Sequence, residues 1–167
     1  LEKADSYVVD CEISDNQAAA GEGKGGTGGG ICVEYISDYY IIDCIMSGNS
    51  SDDQGGALYT RYAEVTVENC RLTGNDSDQG GAFYLGIDSY GSVLNCLFAG
   101  NSSETGGGSY FSYSTTFEVK NCTFSGNSVL NSGGAVYLIW SERTGSTDVK
   151  SNFITNCILW NNGSEEI

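Results

Sequence analysis

The sequence predicts an all-β protein with the fold of a parallel β-helix, a solenoid of about six coils with 25–26 residues in each coil. The first observation is a Cys that recurs every 26 residues at Cys44, Cys70, Cys96 and Cys122, preceded by Asn or Asp and followed five residues later by Asn. The second is a Gly-Gly pair between successive Cys residues, which opens a short run with the alternating polarity of a strand. Short strands and turns repeated at this period are typical of stacked coils.

Apolar residues on either side of each Cys place two further strands in every repeat. They lie three residues before the Cys (Val8, Ile41, Val67, Val93, Val119, Ile154) and two residues after it (Ile13, Met46, Leu72, Phe98, Phe124, Leu159). The sequence contains no Pro, as expected where central strands donate their N–H groups to neighbouring coils. Residues 1–167 are therefore predicted to form one β-helix domain, with loops at residues 18–27 and 141–151.

Six of the seven Cys residues form one column, which predicts a stack of thiols inside the rod. The column consists of Cys11, Cys44, Cys70, Cys96, Cys122 and Cys157. A buried free thiol packs like a small apolar residue, and in-register neighbours orient their Cβ atoms poorly for a disulfide, which remains the alternative. The sequence has no His to activate a catalytic Cys, and thiols in a line do not form a tetrahedral zinc site.

An Asn column marks one turn of each coil and predicts a ladder of amide hydrogen bonds between coils. It consists of Asn16, Asn49, Asn75, Asn101, Asn127 and Asn162. N-glycosylation is the competing interpretation, because Asn49, Asn75, Asn101, Asn121 and Asn162 all match the acceptor pattern. Asn121 lies outside the ladder and is therefore the favoured site for a glycan.

Four tyrosines occupy one column on the side of the strand opposite to the apolar residues, and we expect them to stack on the surface. They are Tyr59, Tyr84, Tyr110 and Tyr137. Such a stripe either covers its sheet or binds sugar rings or another subunit. Cys32 aligns with this column, so it is expected either to bridge to another chain or to remain a partly covered free thiol.

Acidic residues precede the Gly-Gly pairs and predict an acidic corner of the rod. The residues are Asp52, Asp53, Asp76, Asp78 and Glu104. We interpret them as a solvated corner, with a weak calcium site as the alternative, since they match no known calcium loop. No cofactor is expected. The 22 acidic against 7 basic residues give a net charge of −15, which argues against nucleic acid or an anionic membrane as a partner, and no segment is long and apolar enough to span a bilayer.

The pairing of Gly-Gly-Ala with Phe-x-x-Asn, as in Phe98-Ala-Gly-Asn101 and Phe124-Ser-Gly-Asn127, resembles the repeat of the chlamydial polymorphic outer membrane proteins. Ile13, Met46, Leu72 and Leu159 replace Phe in the other copies. The resemblance places the chain in the pectin-lyase-like group and implies a right-handed coil, as the usual handedness of parallel crossovers also favours. It implies an extracellular location at a cell surface, with a structural or adhesive role.

Polysaccharide lyases and hydrolases share this wider fold, so catalysis must be considered. A hydrolase needs clustered Asp residues, and a lyase needs an Arg or Lys base beside carboxylates that bind Ca²⁺. The seven basic residues are instead scattered over different columns (Lys3, Lys24, Arg61, Arg71, Lys120, Arg143, Lys150). We therefore predict that the protein is not an enzyme.

The sequence favours a non-catalytic extracellular scaffold that belongs to a cell-surface structure, an appendage, an adhesin or a filament. The repeat runs to both ends of the sequence, which predicts a segment of a longer chain or a subunit that stacks on copies of itself. Expected partners are neighbouring domains, other copies of the chain or cell-surface glycans. The alternative is a carbohydrate-binding or polysaccharide-cleaving module that uses the tyrosine stripe and the acidic corner.

Overall fold

A computed structural model describes residues 5–21, 25–35, 38–112, 115–139 and 152–163; the predicted loop at 141–151 lies outside these residues. The described residues form 22 strands and no helix. In chain order the strands are β1 (Ser6–Val9), β2 (Glu12–Ser14), β3 (Gln17–Ala18), β4 (Ile31–Glu34), β5 (Tyr39–Ile42), β6 (Ile45–Ser47), β7 (Ser50–Gln54), β8 (Leu58–Arg61), β9 (Glu64–Glu68), β10 (Arg71–Thr73), β11 (Asp76–Gln79), β12 (Phe83–Leu85), β13 (Tyr90–Leu94), β14 (Leu97–Ala99), β15 (Ser102–Thr105), β16 (Ser109–Phe111), β17 (Thr116–Lys120), β18 (Thr123–Ser125), β19 (Ser128–Ser132), β20 (Val136–Leu138), β21 (Phe153–Thr155) and β22 (Ile158–Trp160).

The strands form four parallel sheets, and each coil contributes one strand to each sheet. Sheet 1 has the order β1-β5-β9-β13-β17-β21 and sheet 2 the order β2-β6-β10-β14-β18-β22. Sheet 3 has the order β19-β15-β11-β7-β3 and sheet 4 the order β20-β16-β12-β8-β4. Every hydrogen-bonded neighbour is thus the equivalent strand of the next coil. This arrangement confirms the parallel β-helix, with five complete circuits and half of a sixth among the described residues, slightly fewer coils than the sequence suggests.

Three of the four corners turn on a residue with positive φ in every complete coil, and in the first three coils the corner between sheets 4 and 1 also contains such a residue (Tyr35, Asp38, Tyr62, Asp88). Between sheets 1 and 2 it is the Asn or Asp before each Cys, with φ of 52–56° (Asp10, Asp43, Asn69, Asn95, Asn121, Asn156). Between sheets 2 and 3 it is the Gly before the ladder Asn in the four central copies, such as Gly100 at 63°, and between sheets 3 and 4 it is the first Gly of the pair, such as Gly106 at 72°. Gly, Asn and Asp adopt this conformation at least cost, so the repeat motif specifies the corners.

The interior is filled by columns of apolar side chains, one residue from each coil. The two columns around the Cys are almost inaccessible to solvent in the central coils, where Val67 and Leu72 are 0% exposed. The rings of Phe98 and Phe124 stack with centroids 4.6 Å apart. Gly108 makes this stack possible, because a Cβ at that position would lie 2.6 Å from Cδ1 of Phe124. A continuous stacked core of this kind stabilises a solenoid through contacts between adjacent coils.

Within the residues that the structure describes, no helix is long and apolar enough to cross a membrane.

Candidate functional site

The predicted Asn ladder is present, and it uses the polar atoms of its side chains. Asn75, Asn101 and Asn127 are 0–1% exposed. Oδ1 of Asn101 accepts hydrogen bonds from the backbone N–H and from Nδ2 of Asn75, at 2.9 and 3.0 Å. Nδ2 of Asn75 also donates to the carbonyl oxygen of Met46, 3.0 Å away. Asn16, in the first coil, is exposed but donates to Asn49 in the same way.

Four of the five glycosylation motifs fall on this buried ladder. Asn49, Asn75, Asn101 and Asn162 are each 0% exposed, so their amides are inaccessible in the folded protein. Asn121 is exposed. Glycosylation of Asn121 stays a prediction, and it is the one motif of the five whose amide reaches the surface.

A second Asn ladder runs along the outside of the rod, at the corner between sheets 1 and 2. Nδ2 of Asn95 donates to Oδ1 of Asn69 at 3.2 Å, Asn121 donates to Asn95 at 3.1 Å, and Asn156 donates to Asn121 at 2.5 Å. This ladder was not predicted, although its signal in the sequence is the Asn that precedes each of the last four Cys residues of the column. Asn121 is therefore hydrogen-bonded to two neighbours. If Nδ2 of Asn121 carried a glycan, its one remaining N–H would have to make the hydrogen bond to Asn95.

The Cys column is a third ladder, and its thiols are free. Cys44, Cys70, Cys96 and Cys122 are buried, whereas Cys11 is exposed and Cys157 half-buried. The backbone N–H of Cys70 donates to Sγ of Cys96 at 3.4 Å, and Sγ of Cys96 donates to the carbonyl oxygen of Leu94 at 3.1 Å.

Hydrogen bonds between these thiols shift their pKa values in opposite directions. Hydrogen bonds with the thiols of Cys122 and Cys70, together with burial, raise the pKa of Cys96. The hydrogen bond with Cys96 lowers the pKa of Cys70 and of Cys122, and desolvation by burial raises the pKa of Cys44. Because all four thiols are buried, they are shielded from reagents in the folded protein and act as packing and hydrogen-bonding groups.

The tyrosine column stacks as predicted but is not a surface stripe. Tyr59, Tyr84 and Tyr110 are only 4–6% exposed. Their rings stack with centroids 5.5 and 4.8 Å apart, and Tyr137, partly buried, lies 5.2 Å from Tyr110. Stacking hides the ring faces, and the corner after β12 covers an edge, since a Cβ on Gly86 would lie 3.3 Å from Cε1 of Tyr84. The prediction of an exposed binding stripe is therefore wrong.

These tyrosines form a small second core on the outer side of sheet 4, together with the partly buried Tyr137 and Ile139. Desolvation by burial raises the pKa of Tyr59 to about 12. The hydroxyl of Tyr59 thus stays protonated at neutral pH, and the ring contributes to stability through packing.

Cys32 is in register with Tyr59 and, unlike it, is exposed. Its Sγ lies 3.9 Å from Oγ1 of Thr27. Partial desolvation raises the pKa of the Cys32 thiol, so it reacts more slowly than an ordinary thiol near neutral pH. A bridge from Cys32 to another chain stays a prediction.

The acidic residues lie on strands of sheet 3 and not at a corner, so the prediction of an acidic corner is wrong. Asp52 and Asp53 belong to β7, Asp76 and Asp78 to β11, and Glu104 to β15. The register between β7 and β11 shifts by a bulge between Ser77 and Gln79, so Asp78 lies opposite both Asp52 and Asp53. The register between β11 and β15 is unbroken and aligns Asp78 with Glu104. The short segment between the Asn and the Gly-Gly pair was long enough to extend as a strand, so the corner begins only at the Gly.

These carboxylates have protein partners or face an open groove. Oδ2 of Asp52 accepts a hydrogen bond from the backbone N–H of Ala20 at 2.8 Å, and Asp76 accepts one from Oγ of Ser102. Asp78 and Glu104 help to line a groove of ≈ 260 Å³. Desolvation, followed by the negative charge of Asp78, raises the pKa of Asp53. The described part of the chain contains no group of three or more His, Cys, Asp or Glu side chains that could hold a metal ion.

Comparison with known proteins agrees with the coil geometry. The family model described as "Right handed beta helix region" matches residues 1–154. No curated protein and no solved structure matches the chain. Because the family match covers most of the 167 residues and the strands stack coil on coil, the chain belongs to the right-handed β-helix family.

Proposed function

We propose that the chain is a non-catalytic scaffold outside the cell, with a structural or adhesive role in a cell-surface structure, an appendage or a filament. The observation that carries the proposal is the continuity of the ladders. The Asn and Cys ladders each take one residue from every described coil. A rod whose buried Asn amides and Cys thiols bond from coil to coil is built for length and rigidity.

The distribution of reactive groups supports a role without catalysis. The sequence has no His, and the thiols of Cys44, Cys70, Cys96 and Cys122 are buried. The guanidinium of Arg61 lies over the ring of Tyr62, 4.9 Å from its centroid, and Arg61 is in register with Glu34. Arg71 is in register with Ile45 and Leu97, and Lys120 with Leu94 and Thr155. These three basic residues lie on three different sheets, which favours a role without the convergent site that proton abstraction requires.

The extracellular location and the relation to the chlamydial polymorphic outer membrane proteins rest on the Phe-x-x-Asn and Gly-Gly-Ala pattern of the sequence. Both belong to this proposal. The alternative, a carbohydrate-binding or polysaccharide-cleaving module, loses its main support because Tyr59, Tyr84 and Tyr110 are buried.

Two measurements test the proposal. Antibodies against the folded domain should label intact cells of the source organism without permeabilisation; labelling only after permeabilisation would contradict an extracellular location. The purified chain should produce no new reducing or unsaturated ends from uronate polymers in millimolar Ca²⁺, with a polysaccharide lyase as positive control. Cleavage above the level of buffer alone would make the protein an enzyme and overturn the proposal.

A further inference from the structure

An exposed pair of stacked tyrosines lies on the outer face of sheet 1, away from the buried tyrosine column. Tyr7 of β1 and Tyr40 of β5 are register partners, and their rings stack with centroids 4.8 Å apart and planes within 11°. Tyr7 is 60% exposed and Tyr40 is half-buried. Neither ring belongs to the core clusters, so the pair presents aromatic surface to solvent.

The stack ends abruptly on the side of the third coil. The residue in register with Tyr40 on β9 is Thr66, and the next along the sheet is Ser92. The centroid spacing of the pair equals the spacing of adjacent strands, so the rings stack along the rod axis. The second face of Tyr40 therefore looks toward Thr66, where a small side chain stands in place of a third ring.

Carboxylates form a column beside the stack, because Asp5, Asp38 and Glu64 each lie two residues before Tyr7, Tyr40 and Thr66. The hydroxyl of Tyr7 donates to Oδ2 of Asp5 at 3.3 Å. Desolvation, followed by the negative charges of Asp38, Asp5 and Glu64, raises the pKa of Tyr40, so these three groups act on the ring electrostatically. Glu64 is exposed and lies two residues before Thr66 on the same face of β9. The site thus combines an aromatic face with negative charge, the two features that attract an organic cation.

A second tyrosine stack in the same chain is in contact with a guanidinium group. Tyr35 and Tyr62 form a second stacked pair, with centroids 5.2 Å apart, and the guanidinium carbon of Arg61 lies 4.9 Å from the centroid of Tyr62. A stacked tyrosine pair capped by a guanidinium is therefore already part of this structure. Within the described residues, no cationic side chain lies over Tyr40.

We propose that the face of Tyr40 above Thr66 binds an arginine side chain of a partner protein. The planar guanidinium stacks on Tyr40 as the third member of the Tyr7–Tyr40 stack and hydrogen-bonds to Glu64 or Asp38. Arginine is favoured over lysine because its guanidinium is planar and stacks on aromatic faces. This proposal goes beyond the scaffold role. A scaffold without this site would still be labelled by antibodies on intact cells and would still leave polysaccharides uncleaved.

The probe is a short acetylated peptide, Gly-Arg-Gly-Arg-Gly, titrated into the intact chain at physiological salt and followed by calorimetry. Matched peptides carry citrulline or lysine in place of arginine. The arginine peptide should bind about fivefold or more tightly than the citrulline peptide, since the neutral isostere loses the cation–π attraction. Equal binding of the arginine and citrulline peptides would overturn the proposal.

Variants of the chain locate the site. Tyr40→Leu should weaken binding of the arginine peptide about five- to tenfold, while Tyr40→Phe, which keeps the ring face, should bind like the wild type. Thr66→Leu should weaken binding of the arginine peptide at least fivefold while leaving the fold intact, because a branched apolar side chain covers the face of Tyr40 and presents no new ring. Wild-type binding by a folded Thr66→Leu variant would contradict the proposal even if Tyr40→Leu failed to fold.

Two charge-matched pairs of substitutions distinguish binding at Tyr40 from the general attraction of a cationic peptide to a protein of charge −15. Asp38→Asn with Glu64→Gln removes two charges beside Tyr40 and should weaken the arginine peptide about tenfold. Asp76→Asn with Asp78→Asn removes two charges from the groove on sheet 3 and should change binding by less than about twofold. An equal loss of peptide affinity in both double variants would mean that the peptide responds to the net charge of the protein and does not bind at this site.

Discussion

The backbone N–H and the side-chain Nδ2 of Asn75 both donate to a single atom, Oδ1 of Asn101, at 2.9 and 3.0 Å. The same pair of bonds recurs between Asn101 and Asn127. Each Asn side chain thus satisfies the backbone of the coil before it. This relationship explains why an amide, and neither a carboxylate nor a hydroxyl, occupies this corner, since only an amide combines two donor hydrogens with an acceptor oxygen.

Asn101→Ala should lower the free energy of unfolding by about 2–3 kcal/mol, because it leaves the N–H of Asn75 buried without a partner and removes the bond from Nδ2 of Asn101 to the carbonyl of Leu72. The measurement is denaturant-induced unfolding followed by far-UV circular dichroism. The control is Asn95→Gly on the outer ladder, which keeps the positive φ and exposes its neighbours to water. We expect this control to cost less than about 1 kcal/mol. Equal losses of unfolding free energy in Asn101→Ala and Asn95→Gly would show that burial of the amide does not matter for stability.

Gly108→Ala should destabilise the fold by about 1–3 kcal/mol, although Ala occupies the equivalent position in three other coils. The added Cβ would lie 2.6 Å from Cδ1 of Phe124 and 2.3 Å from the carbonyl oxygen of Ala135. Phe124→Leu in the same chain should restore part of this loss, since Leu72 fills the corresponding site in another coil. Thermal unfolding of the single and double variants gives the coupling. Strict additivity would mean that the ring is not the obstacle.

The buried tyrosine column should make stability fall at high pH. The pKa of Tyr59 is raised by burial from the ordinary value of 10.0 to about 12. Because the protonated form is favoured in the folded state, the stabilisation is complete below pH 10 and is lost as the pH rises toward the folded value. Unfolding free energies measured across this range should decline less steeply in Tyr59→Phe. The same slope in both proteins would contradict the burial of this hydroxyl.

Thiol labelling of the native protein should separate the Cys residues by position. Cys11 and Cys32 are exposed and should react with a maleimide without denaturant, whereas Cys44, Cys70, Cys96 and Cys122 should react only after unfolding. Since its pKa is raised, Cys32 should react faster as the pH rises above neutral. Mass spectrometry of tryptic peptides assigns each site, and Cys32→Ser removes one accessible thiol. Labelling of Cys96 in the native state would contradict the buried ladder.

Sequence periodicity alone predicted the coil, its interior columns and the inner ladder. Cys96, Phe98 and Asn101 recur at fixed offsets, and a period that repeats in register leaves few alternatives for which side chain meets which. The corner between sheets 1 and 2 was not predicted from the sequence. Asn95 looked like a neighbour of Cys96, but it is the residue that turns the chain at φ 56° and bonds Asn69 and Asn121 outside the rod.

The periodicity does not predict which residues cover the outward-facing side chains of a strand. Alternation places Tyr84 on the outside of its strand, but its exposure depends on the corner around Gly86 and on neighbouring rings. The position of Asp78 depends on a bulge that the sequence shows only as a one-residue change in repeat length. The Tyr7–Tyr40 pair was likewise hidden, because residues 33 positions apart align only through an insertion in the first coil.

The central claim is that the recurring Asn and Cys side chains bond one coil to the next. Native-state hydrogen exchange by NMR tests this claim most directly. The backbone amides of Asn49, Asn75 and Asn101, whose acceptors are side-chain oxygens, should be as strongly protected as the strand amides of Val67 and Val93. Exchange of these Asn amides at the rate of exposed loops would contradict the ladder and the scaffold built on it.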